Sequence, residues 1–215
     1  MKINIFIQAR MSSARFPGKV LAPLQGKPVI KHIIDNIKEV SNVNIVVLTS
    51  TESSDDPLVA YLGQINCKFF RGNLNNVFYR FQQALVKFPC DYFIRLSADS
   101  PFLSSSLIKK IINQSSFFEF DLISNVIERT FPKGQSVEMI KSSLFMKIDT
   151  NLLSKDECEH VFPYFYKQKK MHRVLLIKNF INESQLNLCI DTIEDLKQLS
   201  KTNCSYQVKN ISYVE

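Results

Sequence analysis

Residues 8–19 read QARMSSARFPGK, which places Arg10, Arg15 and Lys19 within one short stretch, interleaved with Ser12, Ser13 and Gly18. Three cations this close repel one another unless something anionic sits among them. A solvated basic turn is one reading, and a site for an anionic ligand is the other. Arginine offers a rigid fork of donors for phosphate oxygens, and lysine a mobile point charge. Gly18 and the small residues let backbone N–H groups approach a ligand closely. The set suits a polyphosphate. Neither G-x-x-x-x-G-K-[ST] nor G-x-G-x-x-G occurs, so cations rather than glycines lead this loop.

A polyphosphate usually comes with Mg²⁺, which takes one or two protein carboxylates and completes its octahedron with phosphate oxygens and water. Asp99, in RLSADSPF, and Asp191, in CIDTIEDL, are the candidate metal ligands. Each has a plainer role as well. An Asp before Thr-x-Glu-Asp makes a good helix N-cap, and Asp99 precedes a turn at Pro101. Where the elements place them decides between these roles.

Apolar runs alternate with helical periodicity along the chain. Strands are predicted at KINIFIQ (2–8), NIVVLTS (44–50), CKFFRG (67–72), DYFIRLSAD (91–99), DLISN (121–125), RVLLIKN (173–179) and NLCID (187–191). Helices are predicted over 28–40, near 57–65, over 77–88, near 104–115 and over roughly 155–169, with TIEDLKQLSKT closing the chain. Residues 126–145 read as an irregular excursion with a strand around SVEMI. Pro28 suits a first helical turn. Continuous apolar strands alternating with helices predict an α/β fold: one domain with a doubly wound, mostly parallel sheet covered on both faces. Ligands of such sheets bind at the carboxyl ends of the strands. The basic loop, Ser50–Asp56, Arg71, Asp99 and Asp191 all follow strand ends, so they converge on one rim. That convergence favours the ligand site over scattered surface charge.

A chain of 215 residues with 45% hydrophobic and 22% charged residues has the composition of an ordinary globular protein. No apolar run approaches the length of a membrane span, and MKINIFIQAR reads as a buried strand rather than a signal peptide. The expected location is cytoplasmic. The net charge of +7 is scattered, and no recognition-helix or zinc-finger spacing appears, so nucleic acid is not an expected partner. Five cysteines, Cys67, Cys90, Cys158, Cys189 and Cys204, lack any C-x-x-C and are read as structural thiols. His160 and Glu159, in ECEHVFPYFY, are candidates for contact with a second substrate or ordinary helix residues. Phe162, Phe165 and Tyr166 beside them read as core or subunit contact. His32 and His172 have no nameable partner.

The stretch QARMSSARFPGKVLAPLQGKPVIKHII resembles the signature of sugar-activating cytidylyltransferases, A-R-x-x-S-x-R-x-P-x-K followed by G-K-P. CMP-sialic acid and CMP-Kdo synthetases belong to that family. The resemblance is closest to the subgroup like the spore coat polysaccharide biosynthesis protein F. It continues through Asp55-Asp56-Pro57, F-R-G at 70–72, V-x-x-R-F at 77–81, S-N at 124–125, P-x-G at 132–134, E-H-V-x-P-Y at 159–164 and I-D-T-x-E-D-L at 190–196.

The resemblance implies a Rossmann-like nucleotidyltransferase fold and transfer of CMP from CTP to a sugar, with release of pyrophosphate, for surface polysaccharide or glycan synthesis. It implies that Arg10, Ser13, Arg15 and Lys19 hold the triphosphate, with Arg10, Arg15, Lys19 and Asp99 as the catalytic set. Ala9, Asp55 and Asp56 would face the nucleoside, and Arg71 the nucleotide or acceptor. Asp99 and Asp191 would hold Mg²⁺, and a homodimer is expected. Relatives carry a pattern like D-G-x-D where this chain has Lys133-Gly134-Gln135-Ser136. That places Gln135, with Glu159 and His160, among candidate acceptor contacts. Two further readings keep the same residues: a glycosyltransferase using a nucleotide-sugar donor, and a non-catalytic docking subunit.

Overall fold

The computed structural model describes residues 1–113, 119–202, 206–208 and 210–214. Its framework is an eight-stranded mixed sheet of β1 (Ile3–Gln8), β4 (Val43–Ser50), β5 (Phe69–Gly72), β6 (Tyr92–Ser97), β7 (Leu122–Ser124), β8 (Glu138–Lys141), β9 (Val174–Asn179) and β10 (Ile211–Val214), in the order β10-β9-β7-β8-β6-β1-β4-β5. The pairs β1–β4, β1–β6, β4–β5 and β7–β9 are parallel, while β8 lies antiparallel to both β6 and β7. The short strands β2 (Pro23–Leu24) and β3 (Lys27–Pro28) form a separate ribbon. The central parallel strands end together: Gln8 lies opposite Ser97 on β6 and Leu48 on β4.

Strand alternation explains the core. Ile3, Ile5 and Ile7 of β1 pack on one face with α1 (Val29–Ile37) and α4 (Ser105–Ile112), while Phe6 turns to the other. That second face is aromatic. Phe78 and Phe81 of α3 (Val77–Lys87) meet Phe93, Phe145 of α5 (Ser142–Phe145) and Phe165 of α7 (Pro163–Lys167), with Phe78 and Phe145 stacked at 4.1 Å. Each fully buried ring contributes about 2–3 kcal/mol by area alone.

Two anchors bring the loops to the rim. The first is Asp55, fully buried before α2 (Asp56–Gln64). Its Oδ2 accepts from the Thr49 hydroxyl at 2.8 Å and from the Ser50 amide at 2.9 Å and hydroxyl at 2.5 Å. Its Oδ1 accepts from the Met11 amide at 2.7 Å. The Met11 carbonyl in turn accepts from Gly18 N–H at 2.7 Å and Ser13 N–H at 3.0 Å, so one carboxylate pins the basic loop across its width. Gly18, at φ 76°, makes the left-handed turn that starts the short 3-10 turn Lys19–Leu21. Burial raises the Asp55 pKa, but the Ser50, Met11 and Thr49 hydrogen bonds outweigh it and leave the pKa below the usual carboxylate value.

The second anchor carries Asp191. No strand forms at 187–191, in contrast to the sequence expectation; Asn187 makes only an isolated bridge with Lys133. The segment lies over the 132–134 loop, where Leu188 N–H donates to Lys133 O at 2.9 Å, and Ile190 N–H donates to Asp99 O at 2.9 Å. Its apolar residues Leu188 and Ile190 pack into a small cluster with Leu24, Val29 and Phe102 rather than against a neighbouring strand. Gly134 makes this crossing possible: its φ is +93°, and a Cβ there would lie 2.8 Å from the Leu188 carbonyl. Helix α8 (Ile193–Ser200) is capped by Thr192 in a capping box with Asp195, so Asp191 is free of that duty.

Other departures are local. The helix expected over 28–40 is α1, ending at Ile37, with Pro28 just outside it. The helix expected over 155–169 is broken into α6 (Lys155–His160) and α7 by Val161 at φ 71°, ψ −58°. Strand β10, not anticipated, pairs antiparallel with β9. Part of the helix expected near 104–115, and Cys204, lie outside the described residues. The four described cysteines are free thiols, and among the described residues no helix is long and apolar enough to cross a membrane.

Two outcomes follow from the anchors. Gly134→Ala brings both a strained backbone and a clash with the Leu188 carbonyl; thermal unfolding should show a midpoint several degrees lower, corresponding to about 1–2 kcal/mol. Asp55→Asn replaces an acceptor by a donor facing donors and should cost about 2–3 kcal/mol at neutral pH. Because the folded Asp55 pKa is depressed, its contribution is present above the unfolded carboxylate pKa of about 3.9 and is lost as pH falls through the folded value. The gap between the wild-type and Asp55→Asn midpoints should therefore narrow in acid.

Candidate active site

At the carboxyl ends of β1 and β6 the structure opens a cleft of about 320 Å³. Ala9, Arg10, Ser13, Arg15 and Lys19 line one side, Asp99 and Asp191 another, and Glu159 and His160 the lip. A larger concavity of about 760 Å³ beside Lys109 and Ile211 gathers no carboxylate among the described residues, so the chemistry points to the smaller cleft.

The cations here are already matched to carboxylates. Lys19 Nζ donates to Asp99 Oδ2 at 2.8 Å and to Asp191 Oδ1 at 3.0 Å. Arg15 reaches the same Asp191 oxygen at 2.9 Å, and Arg10 pairs with Glu159 Oε1 at 2.9 Å. Burial disfavours the Lys19 ammonium, yet Asp99 and Asp191 more than offset it and hold its pKa above the usual lysine value. Asp99, from the middle of the chain, and Asp191, from its last part, thus meet at one cation. The hydrogen bond from Ile190 N–H to Asp99 O explains how they are brought together.

The turn at Val161 shapes the lip. Phe162 N–H donates to His160 O at 2.9 Å, closing a three-residue γ-turn around a buried β-branched residue with positive φ. Such a backbone stores strain of order 1–3 kcal/mol, and strain of this kind clusters at functional sites. The turn sends Phe162 into the core and leaves Glu159 and His160 on the cleft. Phe165 is also core. His160 has only a loose pairing with Asp156, at 3.6 Å.

Several residues singled out in the sequence lie elsewhere. Asp55 is the buried anchor described above. Asp56 pairs with Arg71 at 2.7 Å, and Arg71 donates to the Ser50 and Glu52 carbonyls, which ties β4 to β5 outside the cleft. Gln135 is wholly buried, accepting from Ser104 N–H at 2.9 Å and donating to Phe102 O at 2.7 Å; it fixes the start of α4 and does not reach the cleft. His32 meets the Leu24 carbonyl.

Sequence reasoning passed over Gln8, Arg95 and Ser97, which line the cleft floor. Arg95 carried a signal: a charge in the middle of an apolar strand needs a partner. Arg80, quoted within V-x-x-R-F without a role, is fully buried on α3, and its Nε and Nη2 meet no described partner. Burial brings the Arg80 pKa down to about 10, against the opposing pull of Asp55. Gly72 makes room for this side chain, since a Cβ there would stand 2.7 Å from Arg80 Cγ.

Among the described residues no three His, Cys, Asp or Glu side chains stand together as a metal cage. Two carboxylates converge instead, the number Mg²⁺ usually takes from protein when phosphates supply further oxygens. The residues present fit that ion.

Comparison with known proteins identifies the family. The spore coat polysaccharide biosynthesis protein SpsF of Bacillus subtilis is 28% identical over 92% of this chain and 84% of its own length. A 3-deoxy-manno-octulosonate cytidylyltransferase of Pelobacter propionicus is 28% identical over 52% of this chain and 44% of its own. Among solved structures, a cytidylyltransferase from Leptospira borgpetersenii serovar Hardjo-bovis superposes with a TM-score of 0.85 at 30% identity, covering 93% of this chain and 85% of that one. With residues 4–214 matching the family described as Cytidylyltransferase, nearly the whole sheet and every residue of the cleft fall within the match, and the chain belongs to the cytidylyltransferase family.

Proposed function

We propose that this protein transfers CMP from CTP to a sugar hydroxyl, releasing pyrophosphate, in the synthesis of a surface polysaccharide or glycan. The observation that carries the reading is the meeting of Lys19, Asp99 and Asp191, with Arg15 on the same carboxylate. Each cation has a carboxylate partner in the free protein, and a triphosphate arriving with Mg²⁺ permits a full exchange. The phosphates would pair with Arg10, Arg15 and Lys19, and Asp99 and Asp191 would hold the metal. Around Lys19 no charge is left unpaired at either stage, and only Glu159 gives up its cation. Mg²⁺ bound there would neutralise charge on the phosphates.

The sugar oxygen forms its bond to the α-phosphorus as the bond to the bridging oxygen breaks. Pyrophosphate leaves with the electron pair, and the hydroxyl proton passes to water. Arg15 and Lys19 stabilise the charge that grows on the leaving group. Positioning and electrostatics dominate phosphoryl transfer, so no nucleophilic side chain is required. Glu159 holds Arg10 until the nucleotide arrives and then becomes free to accept from the acceptor's hydroxyls. The acceptor class suggested by the relatives is an acidic sugar such as 3-deoxy-manno-octulosonate.

Thermal unfolding with CTP, UTP, ATP and GTP, each with and without Mg²⁺, tests this reading. At 100 times its dissociation constant a ligand adds about 2.7 kcal/mol. The expected result is a Mg²⁺-dependent rise with CTP alone, abolished in Asp99→Asn and Asp191→Asn. Arg15→Ala should lower kcat by about 100-fold. A rise with another nucleotide alone refutes the cytidine assignment, and release of a nucleotide instead of pyrophosphate refutes the reaction in favour of glycosyl transfer.

A further inference from the structure

Arg95 is a cation of this cleft that the nucleotide loop does not explain. It projects from β6 beside Gln8, Ser97, Glu159 and His160, with its side chain 18% exposed. Three contacts fix its plane. Nε donates to Gln8 Oε1 at 3.1 Å, Nη1 donates to Glu138 Oε2 at 2.6 Å, and the guanidinium stands 6.0 Å from the centre of the Phe162 ring. Nη2 bonds no described residue.

The partner differs in kind from the carboxylates at the lip. Glu138 lies opposite Arg95 in the β6–β8 register, and its side chain is 4% exposed. Its second oxygen accepts from the Tyr166 hydroxyl. Glu159 and Asp191 are accessible and can release their cations to a ligand. Glu138 is buried beneath Arg95 and cannot. It therefore holds the guanidinium in place while the remaining donor edge stays free. A buried ion pair is seldom a net source of stability, and apolar residues of similar size serve a sheet as well or better. What the pair provides is a fixed planar donor at a partly desolvated surface, which is the arrangement that recognises a carboxylate or phosphate.

We propose that Arg95 binds the anionic group of the acceptor sugar, with Glu138, Tyr166 and Gln8 as positioning residues. The inference rests on the cytidylyl-transfer reading and adds a specificity-determining residue to it: the acceptor must be acidic. A sugar carboxylate and a sugar phosphate share the recognised chemistry, and the test separates them.

The protein is first loaded with Mg²⁺ and the unreactive α,β-methylene analogue of CTP, and then titrated with 3-deoxy-manno-octulosonate, mannose 1-phosphate or neutral mannose. Wild type is compared with Arg95→Met combined with Glu138→Met, which removes both charges and strands neither. Arg95→Gln with Glu138→Gln retains polar partners for Gln8 and Tyr166 and serves if the first pair unfolds. One acidic sugar should bind wild type at least 30-fold more tightly than either double variant, while affinity for the CTP analogue changes less than threefold. Whichever anion shows the loss identifies the source. Equal binding of that anion by the variants, binding of mannose as tight as the anions, or no binding of either anion overturns the proposal. Failure of wild type to take up the CTP analogue, read before any sugar is added, would instead remove the cytidylyl reading on which it rests.

Discussion

The site is organised around the Lys19 ammonium, which two carboxylates share. Asp99 arrives from the end of β6 and Asp191 from the start of α8, and the Lys19 ammonium lies between their carboxylates. Two bare carboxylates at this spacing repel, and a bare ammonium this buried would lose its proton more readily. Together they form a unit with one net negative charge, which Arg15 neutralises by pairing with Asp191. Charge balance thus dictates the geometry of the free site, and the same balance makes it a receptor for ligands that bring charges of both signs.

That unit depends in turn on backbone placed by distant residues. Met11 is held through its amide by Asp55 and holds Gly18 and Ser13 through its carbonyl, so the cationic loop has the shape of a clip closed at a single residue. Asp55 makes no contact with the cleft, yet it sets where Lys19 begins. On the other wall, the segment before α8 is laid across Gly134 and stitched to Asp99 by one hydrogen bond. The lip depends on a γ-turn that breaks one helix into two.

Much of this was legible in the sequence because periodicity and strand ends are local. The parallel core, its helices and the rim carrying Arg10, Arg15, Lys19 and Asp99 follow from hydrophobic alternation alone. What escaped depends on tertiary contact. Asp55 has the residue type of a ligand contact, and only its four hydrogen bonds show it to be a buried anchor. Gln135 stands in a loop read as an acceptor contact, but its amide is consumed by Phe102 and Ser104. NLCID has the apolar content of a strand without a strand to pair with. Val161 continues a good helical pattern, and the break there goes with Pro163, which has no N–H to carry the helix on and instead opens α7. Arg95 hid in an apolar strand because its counter-ion lies 43 positions away on β8.

The links that define the cleft are long in sequence. Lys19 and Asp191 are separated by 172 positions, Arg10 and Glu159 by 149. The parallel centre β6-β1-β4-β5, by contrast, is made by the first half of the chain. Loop-closure entropy places such long connections late in folding and makes them early to open. The chain can therefore release the segment around Asp191 while its central sheet stays intact. Binding of a ligand that needs both ends of the chain would raise the protection of backbone amides in 187–200 far more than in β1 or β4, so the cleft and the fold that bears it have separate stabilities.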